Sequence, residues 1–189
     1  NFKDNEVHGK ASEWYENGQI RQVSNYKDGL WHGKATTWYE DGQAKGEVSF
    51  KENKLDGKVI GFYSDGSVMF EGEYTDNNGI DTWWYKNGNQ AALLPIIDGR
   101  KEGLVFLWNE DGSKKQSGYF NENKANGKQT WYYAENNQEK LIYSCLNGSP
   151  VGNPKGLKLN GESYNAGSFE NSKVLVLHSN GKIKSEHSY

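Results

Sequence analysis

Apolar and polar residues alternate along most of this chain in short runs, and the runs break at pairs of Asn or Asp with Gly. Alternation with a period of two is the pattern of a strand with one face covered, and Asx-Gly between two such runs is the strongest short-range signal for a hairpin. The pattern predicts strands throughout, joined by type I′ turns at Asn17-Gly18, Asp41-Gly42, Asp65-Gly66, Asn87-Gly88, Asp111-Gly112 and Asn160-Gly161. Such turns need positive φ at both central residues, which Asn and Gly tolerate.

The hairpins recur at a fixed period. Aligning on Gly9, Gly33, Gly57, Gly79, Gly103, Gly127 and Gly152 gives spacings of 24, 24, 22, 24, 24 and 25 residues. An aromatic pair follows each of the earlier glycines: Trp14-Tyr15, Trp38-Tyr39, Phe62-Tyr63, Trp84-Tyr85 and, later, Tyr132-Tyr133, with Trp108 alone in its repeat. A second apolar position lies after each turn, at Tyr26, Phe50, Tyr74, Ile96, Phe120, Cys145, Phe169 and Tyr189. In the sixth repeat the turn is Asn136-Asn137, shifted by one inserted residue. The pattern fades in the repeats near Gly152 and Ser172, as terminal repeats often do when they cap an array. Residues 1–8 read as the end of a truncated leading repeat, with Phe2 in the second apolar position. Segments such as Lys27-Asp28-Gly29-Leu30-Trp31-His32 read as linkers between hairpins. A lone hairpin buries too little to hold itself together, so neighbours must cover one another. The expected fold is all-β: an elongated single-layer antiparallel meander of tandem β-hairpins, one array over residues 1–189.

Composition sharpens this picture. Hydrophobic residues are only 34% of the chain, yet aromatics reach 14%, which a disordered segment would lack. Lys and Arg total 22 against 25 Asp and Glu, for a net charge of −3 with no run of one sign, so no basic stripe suits a nucleic acid or an anionic membrane. No apolar run is long enough for a membrane-spanning helix. One cysteine, Cys145, excludes an internal disulfide and reads as a small buried hydrophobe. No leader is visible. The compartment is open between cytoplasm and cell envelope, the latter as a mature secreted protein or lipoprotein.

The repeat Gly33-Lys34-Ala35-Thr36-Thr37-Trp38-Tyr39-Glu40-Asp41-Gly42, followed by Phe50 and Asn53, resembles the MORN repeat. It is closer to the bacterial variant found in YwqK-type antitoxin proteins. The resemblance runs strongly from Gly9 to Gly127 and weakly from Gly152 to Tyr189. It implies a single-layer twisted sheet without catalytic residues, and a partner that is a toxin. It names no binding residue, because every matching position is structural.

Candidate binding residues come from departures within the repeat. Alternation puts Trp14, Trp38, Phe62, Trp84 and Trp108 on one face, and Tyr15, Tyr39, Tyr63, Tyr85 and Tyr133 on the other. Trp83 and Trp131 share the tyrosine face at a position that is Glu13, Thr37 and Gly61 elsewhere, and Trp31 stands where another repeat has Leu55. Repeated aromatics are expected to stack along a sheet, but Trp and Tyr beyond the consensus are also the usual anchors of an interface. The candidate partner surface is therefore Trp31, Trp83, Trp131, Tyr39, Tyr63, Tyr85 and Tyr133.

No catalytic residue, metal site or cofactor is expected. No nucleophile elbow, phosphate loop or paired zinc-binding histidines occur. His8 and His32 occupy one repeat position, His178 and His187 flank the last hairpin, and Asp76–Asp81 lacks the bidentate Glu of a calcium loop. Glu47, Glu71 and Glu73 lack a cleft that would pair them. A sheet of some sixteen strands, roughly 75 Å across at the usual strand spacing, favours a protein partner over a small molecule. Alternatives are a cell-wall, carbohydrate or lipid surface, and an architectural or adhesin repeat.

Overall fold

The computed structural model describes residues 2–3, 6–166, 169–170, 173–177 and 183–188, with side chains from 6 to 166. The chain divides into two halves, Asn1–Gly99 and Arg100–Tyr189. In the first lie β1 (Phe2–Lys3), β2 (Glu6–Val7), β3 (Gly9–Trp14), β4 (Ile20–Lys27), β5 (Leu30–Trp31), β6 (Gly33–Trp38), β7 (Ala44–Lys51), β8 (Lys54–Phe62), β9 (Val68–Thr75), β10 (Asn78–Trp84) and β11 (Gln90–Ile97). In the second lie β12 (Arg100–Lys101), β13 (Gly103–Trp108), β14 (Lys114–Asn121), β15 (Lys124–Tyr132), β16 (Glu139–Leu146), β17 (Ser149–Leu157), β18 (Ser163–Asn165), β19 (Phe169–Glu170), β20 (Lys173–Leu177) and β21 (Ile183–Ser188). No helix occurs among the described residues.

Within each half the strands follow one another in chain order. The first half runs β3-β4-β6-β7-β8-β9-β10-β11, with β5 also on β4; the second runs β13-β14-β15-β16-β17-β18, and β19-β20-β21 pair separately. Every pairing within a half is antiparallel, as expected for a meander of tandem hairpins. The turn Asn180-Gly181 and Tyr189 lie outside the described residues.

Turn chemistry differs from the sequence expectation, and for a clear reason. Gly18 has φ +84°, but Asn17 is not in the left-handed region, and neither are Asp41, Asp65, Asn87 or Asp111. Tyr15 N–H donates to Gln19 O at 2.8 Å and Gly18 N–H to Tyr15 O at 3.0 Å, which closes a three-residue loop. This is a type I turn followed by one left-handed glycine, the usual three-residue hairpin connection. The Asx residue serves through its side chain: Asn17 Oδ1 accepts the Gln19 N–H at 2.9 Å. The same bond recurs at Asp41, Asp65, Asn87, Asp111, Asn136 and Asn160. In the sixth repeat the extra residue makes the loop four long, and Asn137 (φ 57°) takes the place of the glycine.

The type I′ turns are real but sit in the segments read as linkers. Asp28-Gly29, Glu52-Asn53, Asp76-Asn77, Glu122-Asn123 and Asn147-Gly148 all have positive φ at both residues. Each joins two directly paired neighbours, such as Lys27↔Leu30 and Lys51↔Lys54. A linker is thus a second hairpin, and each repeat turns at both edges of the sheet.

The same geometry explains the uneven spacing. From Phe50↔Leu55 to Val48↔Val59 the register changes, with three residues of β8 set against one of β7. Gly57 sits in this bulge at φ +99°. Between β9 and β10 the ladder runs unbroken from Thr75↔Asn78 to Phe70↔Trp83. The bulge's two extra residues are missing there, hence a spacing of 22. Gly79 accordingly has no positive φ, and its lack of a side chain serves instead to let the Glu73 carbonyl and the Tyr74 ring approach.

A single layer has no interior, so burial comes from rings laid on the sheet. Each half has a glycine face, carrying the opening glycines and the residues paired opposite them, and a tryptophan face. The glycine face of the first half buries Ala35, Val59 and Tyr74; that of the second buries Val105, Gln129, Leu141, Tyr143 and Cys145. Gly61 shows how: a Cβ there would sit inside the Phe70 ring, and Trp83 stacks on the other side of that ring at 4.8 Å.

Candidate functional site

Two surfaces compete in each half, and their residues do different work. On the glycine face the tyrosines staple one repeat to the next. Tyr15 OH donates to Trp38 O (2.8 Å), Tyr39 OH to Phe62 O (2.7 Å), Tyr63 OH to Trp84 O (2.8 Å), and Tyr133 OH to Leu157 O (2.9 Å). Burial raises the Tyr133 phenol above its ordinary pKa, helped by Tyr164 and Glu135. Tyr85 is partly buried in the same row and donates its backbone N–H to Asn89 O.

The three extra tryptophans of this face are partly buried and packed. Trp31 stands between Tyr26 and Phe50, with ring centroids at 5.0 and 5.2 Å. Trp83 lies on Phe70, with its buried indole N–H lacking an acceptor. Trp131 packs against the cluster of Leu141, Tyr143, Cys145 and Ala166. All seven residues singled out in the sequence therefore share a face within their half, and Trp31, Trp83, Trp131, Tyr39, Tyr63 and Tyr133 bind their neighbours in the fold through rings or hydroxyls.

The exposed apolar surface lies on the opposite face. In the first half Trp14 (61% exposed), Ile80 (51%), Ile97 (51%) and Leu30 (38%) all fall on the tryptophan face, and in the second Tyr119 (50%), Leu146 and Val151 do. Sequence reasoning missed them because Ile80 and Tyr119 stand where other repeats carry Lys58 and Asn25, a signal about the solvated face that periodicity alone does not rank. Around Ile80 the strands set Lys58, Glu71, Glu73 and Thr82 into a shallow trough. Lys34 and Glu47 form an ion pair at 2.6 Å on the same face.

Titratable groups are spread, not gathered. Tyr74 OH donates to Asp81 Oδ1 at 2.6 Å, and burial pushes the Asp81 carboxyl above its usual range, opposed by that hydrogen bond. Asp65 and Asp111 are held low, first by the Ser67 and Ser113 hydroxyls and then by the backbone N–H groups of the same residues. Asp76 pairs with Lys54 at 2.6 Å while Asn78 Oδ1 accepts from Asp98 N–H, so the acids and amides of Asp76–Asp81 point to separate partners. His8 Nδ1 accepts from Asp28 N–H at 3.3 Å, and Asp56 and Glu102 accept at the equivalent turns, so these residues before opening glycines each cap a turn, whereas the Nδ1 of His32 is buried without a hydrogen-bond partner. Among the described residues no group of three or more His, Cys, Asp or Glu converges. The side chains of His178 and His187 lie outside those described. Burial raises the thiol pKa of Cys145, which is 3% exposed and unreactive in that state.

Residues 7–28, 31–52 and 55–76 match the MORN repeat variant family as three tandem repeats. Each match covers one Asx-loop hairpin and ends on the first residue of a type I′ turn. No curated protein matches the chain. No helix among the described residues is long and apolar enough to cross a membrane.

Proposed function

We propose that this chain is a non-catalytic MORN-type scaffold that binds another protein, and that the partner is a toxin which it neutralises. The observation that carries the protein-binding reading is the one-sided display of Trp14, Leu30, Ile80 and Ile97 in the first half. Single exposed apolar residues are ordinary, but several on one face, rimmed by Lys and Glu, have the make-up of an interface. The toxin part rests on the resemblance to antitoxin repeats alone.

Affinity purification from the native cell tests both parts. A Trp14→Ala/Ile80→Ser variant is expected to keep its far-UV spectrum and lose the captured protein. Suppression of that protein's toxicity by the wild-type chain supports the antitoxin role. Capture of a harmless protein rejects the toxin, and retention on peptidoglycan without any protein rejects the whole reading in favour of a wall-binding module. The tyrosine-face set is a second surface, favoured by the partial exposure of Trp31, Trp83, Trp131, Tyr39, Tyr63, Tyr85 and Tyr133. Capture that survives the first variant and fails in Trp83→Ala/Trp31→Ala places the interface there.

A further inference from the structure

Charge is segregated in the first half in a way the total conceals. This half holds 10 Lys and Arg against 16 Asp and Glu, a net of −6. The deficit of positive charge is not on the tryptophan face. There the residue after each of the first three opening glycines is Lys10, Lys34 or Lys58, all exposed, with Ile80 in that place after Gly79, and register sets the three lysines in one row, opposite Asn25, Ser49 and Glu73. The acids collect at the sheet edges. The first residue of each such turn in the first half is Asp28, Glu52, Asp76 or, beside Gly99 at φ 73°, Asp98, all exposed and with nearly the same φ of 48 to 54°, so each side chain leaves the backbone from the same turn position.

Both rows are written by one repeat and therefore share one step. Lys10, Lys34 and Lys58 lie two strands apart, as do successive turn acids, a step of about 10 Å at the usual strand spacing. Two rows with a common period match at every position once they match at one. One lysine of the three and one turn acid of the four are already held in ion pairs, Lys34 with Glu47 and Asp76 with Lys54, and Asp28 lies 3.3 Å from His8. Lys10, Lys58, Glu52 and Asp98 make no ion pair among the described residues. The competing carboxylates on the tryptophan face are Glu47, Asp56, Glu71 and Glu73, of which Glu73 stands directly opposite Lys58.

From this we infer that the first half docks on a second copy of the chain, the acidic turn edge of one copy along the Lys10–Lys34–Lys58 row of the next. The contact joins two different surfaces, so it adds copies in rings or filaments and does not stop at a two-fold pair. It rests on the protein-binding reading only in using the tryptophan face, and it names the partner as the chain itself.

Sedimentation of the full chain over a range of concentrations is the test. At low salt the weight-average mass of the wild type is expected to rise with concentration, and in about 1 M salt, where screening acts within about 3 Å, to fall to that of one chain. Lys10→Glu/Lys58→Glu and Glu52→Lys/Asp98→Lys break none of the ion pairs among the described residues, and each alone is expected to stay a single chain. Mixed in equal amounts, they restore association through the exchanged charges. A wild type that stays single at low salt, a mass that ignores salt, or a mixture that fails to associate overturns the inference. A chain that stays single yet captures another protein through Trp14 and Ile80 overturns it while leaving the protein-binding reading in place.

Discussion

At the scale of single residues, the tyrosine row shows how a consensus aromatic earns its place. The Tyr39 ring covers the sheet, and its hydroxyl satisfies a partly buried carbonyl of the next repeat. Tyr39→Phe keeps the ring and strands that carbonyl, so it is expected to cost about 1 kcal/mol in urea unfolding; an unchanged midpoint would mean that water replaces the hydroxyl. Asp81 is the opposite case, a carboxyl on the face where equivalent positions are Ala35, Val59 and Val105. Burial raises its pKa, so the folded chain holds the proton more tightly than the unfolded one. Its favourable contribution is complete below the unfolded pKa and is lost as pH rises through the folded one. Asp81→Asn keeps an acceptor for Tyr74 and removes the charge. It is expected to unfold at higher urea than wild type at neutral pH, with the gain shrinking on acidification.

At the scale of elements, the two edges of the sheet use asparagine in two ways. In the Asx loops its side chain caps the turn locally. At Glu52-Asn53 the residue reaches sideways: Asn53 N–H donates to Trp31 O (3.0 Å) and its Oδ1 accepts the Trp31 N–H (2.8 Å). One residue thus imitates a strand partner and extends the ladder past the end of the pairing. Asn77 does the same for Leu55, and Asn123 for Lys101. Asn53→Ala also loses the ease with which Asn adopts positive φ, and is expected to cost about 1–2 kcal/mol. Asn53→Gly relieves only the backbone part, so the difference between the two melts isolates the side-chain bond.

At the scale of the whole molecule, side-by-side strands make stability a sum over neighbours. Gly61→Ala forces Phe70 off the sheet and is expected to destabilise the first half by about 1–3 kcal/mol. Amide exchange should speed up around β7 to β10 and stay unchanged in β15 and β16. Uniform acceleration across both halves would show a single cooperative transition instead.

Period, strand content and the aromatic rows were legible in the sequence because each is a local rule repeated: alternation makes strands, Asx-Gly makes reversals, and equal spacing stacks equal residues. The turn types were not, because Asn-Gly suits either a type I′ turn or the end of a three-residue loop, and the cross-strand bonds of Tyr15 to Gln19 and of Lys27 to Leu30 make the choice. Nor was the 22-residue spacing, which records a missing bulge visible only against the partner strand. The exposed face is the clearest instance. Alternation put Trp83 and Ile80 on opposite faces, but which face is covered depends on where the rings of other strands come to lie. Phe70 and Trp83 fold down over Gly61 and close the glycine face, leaving Ile80 and Trp14 in water. That outcome belongs to packing between successive strands, which no reading of one strand contains.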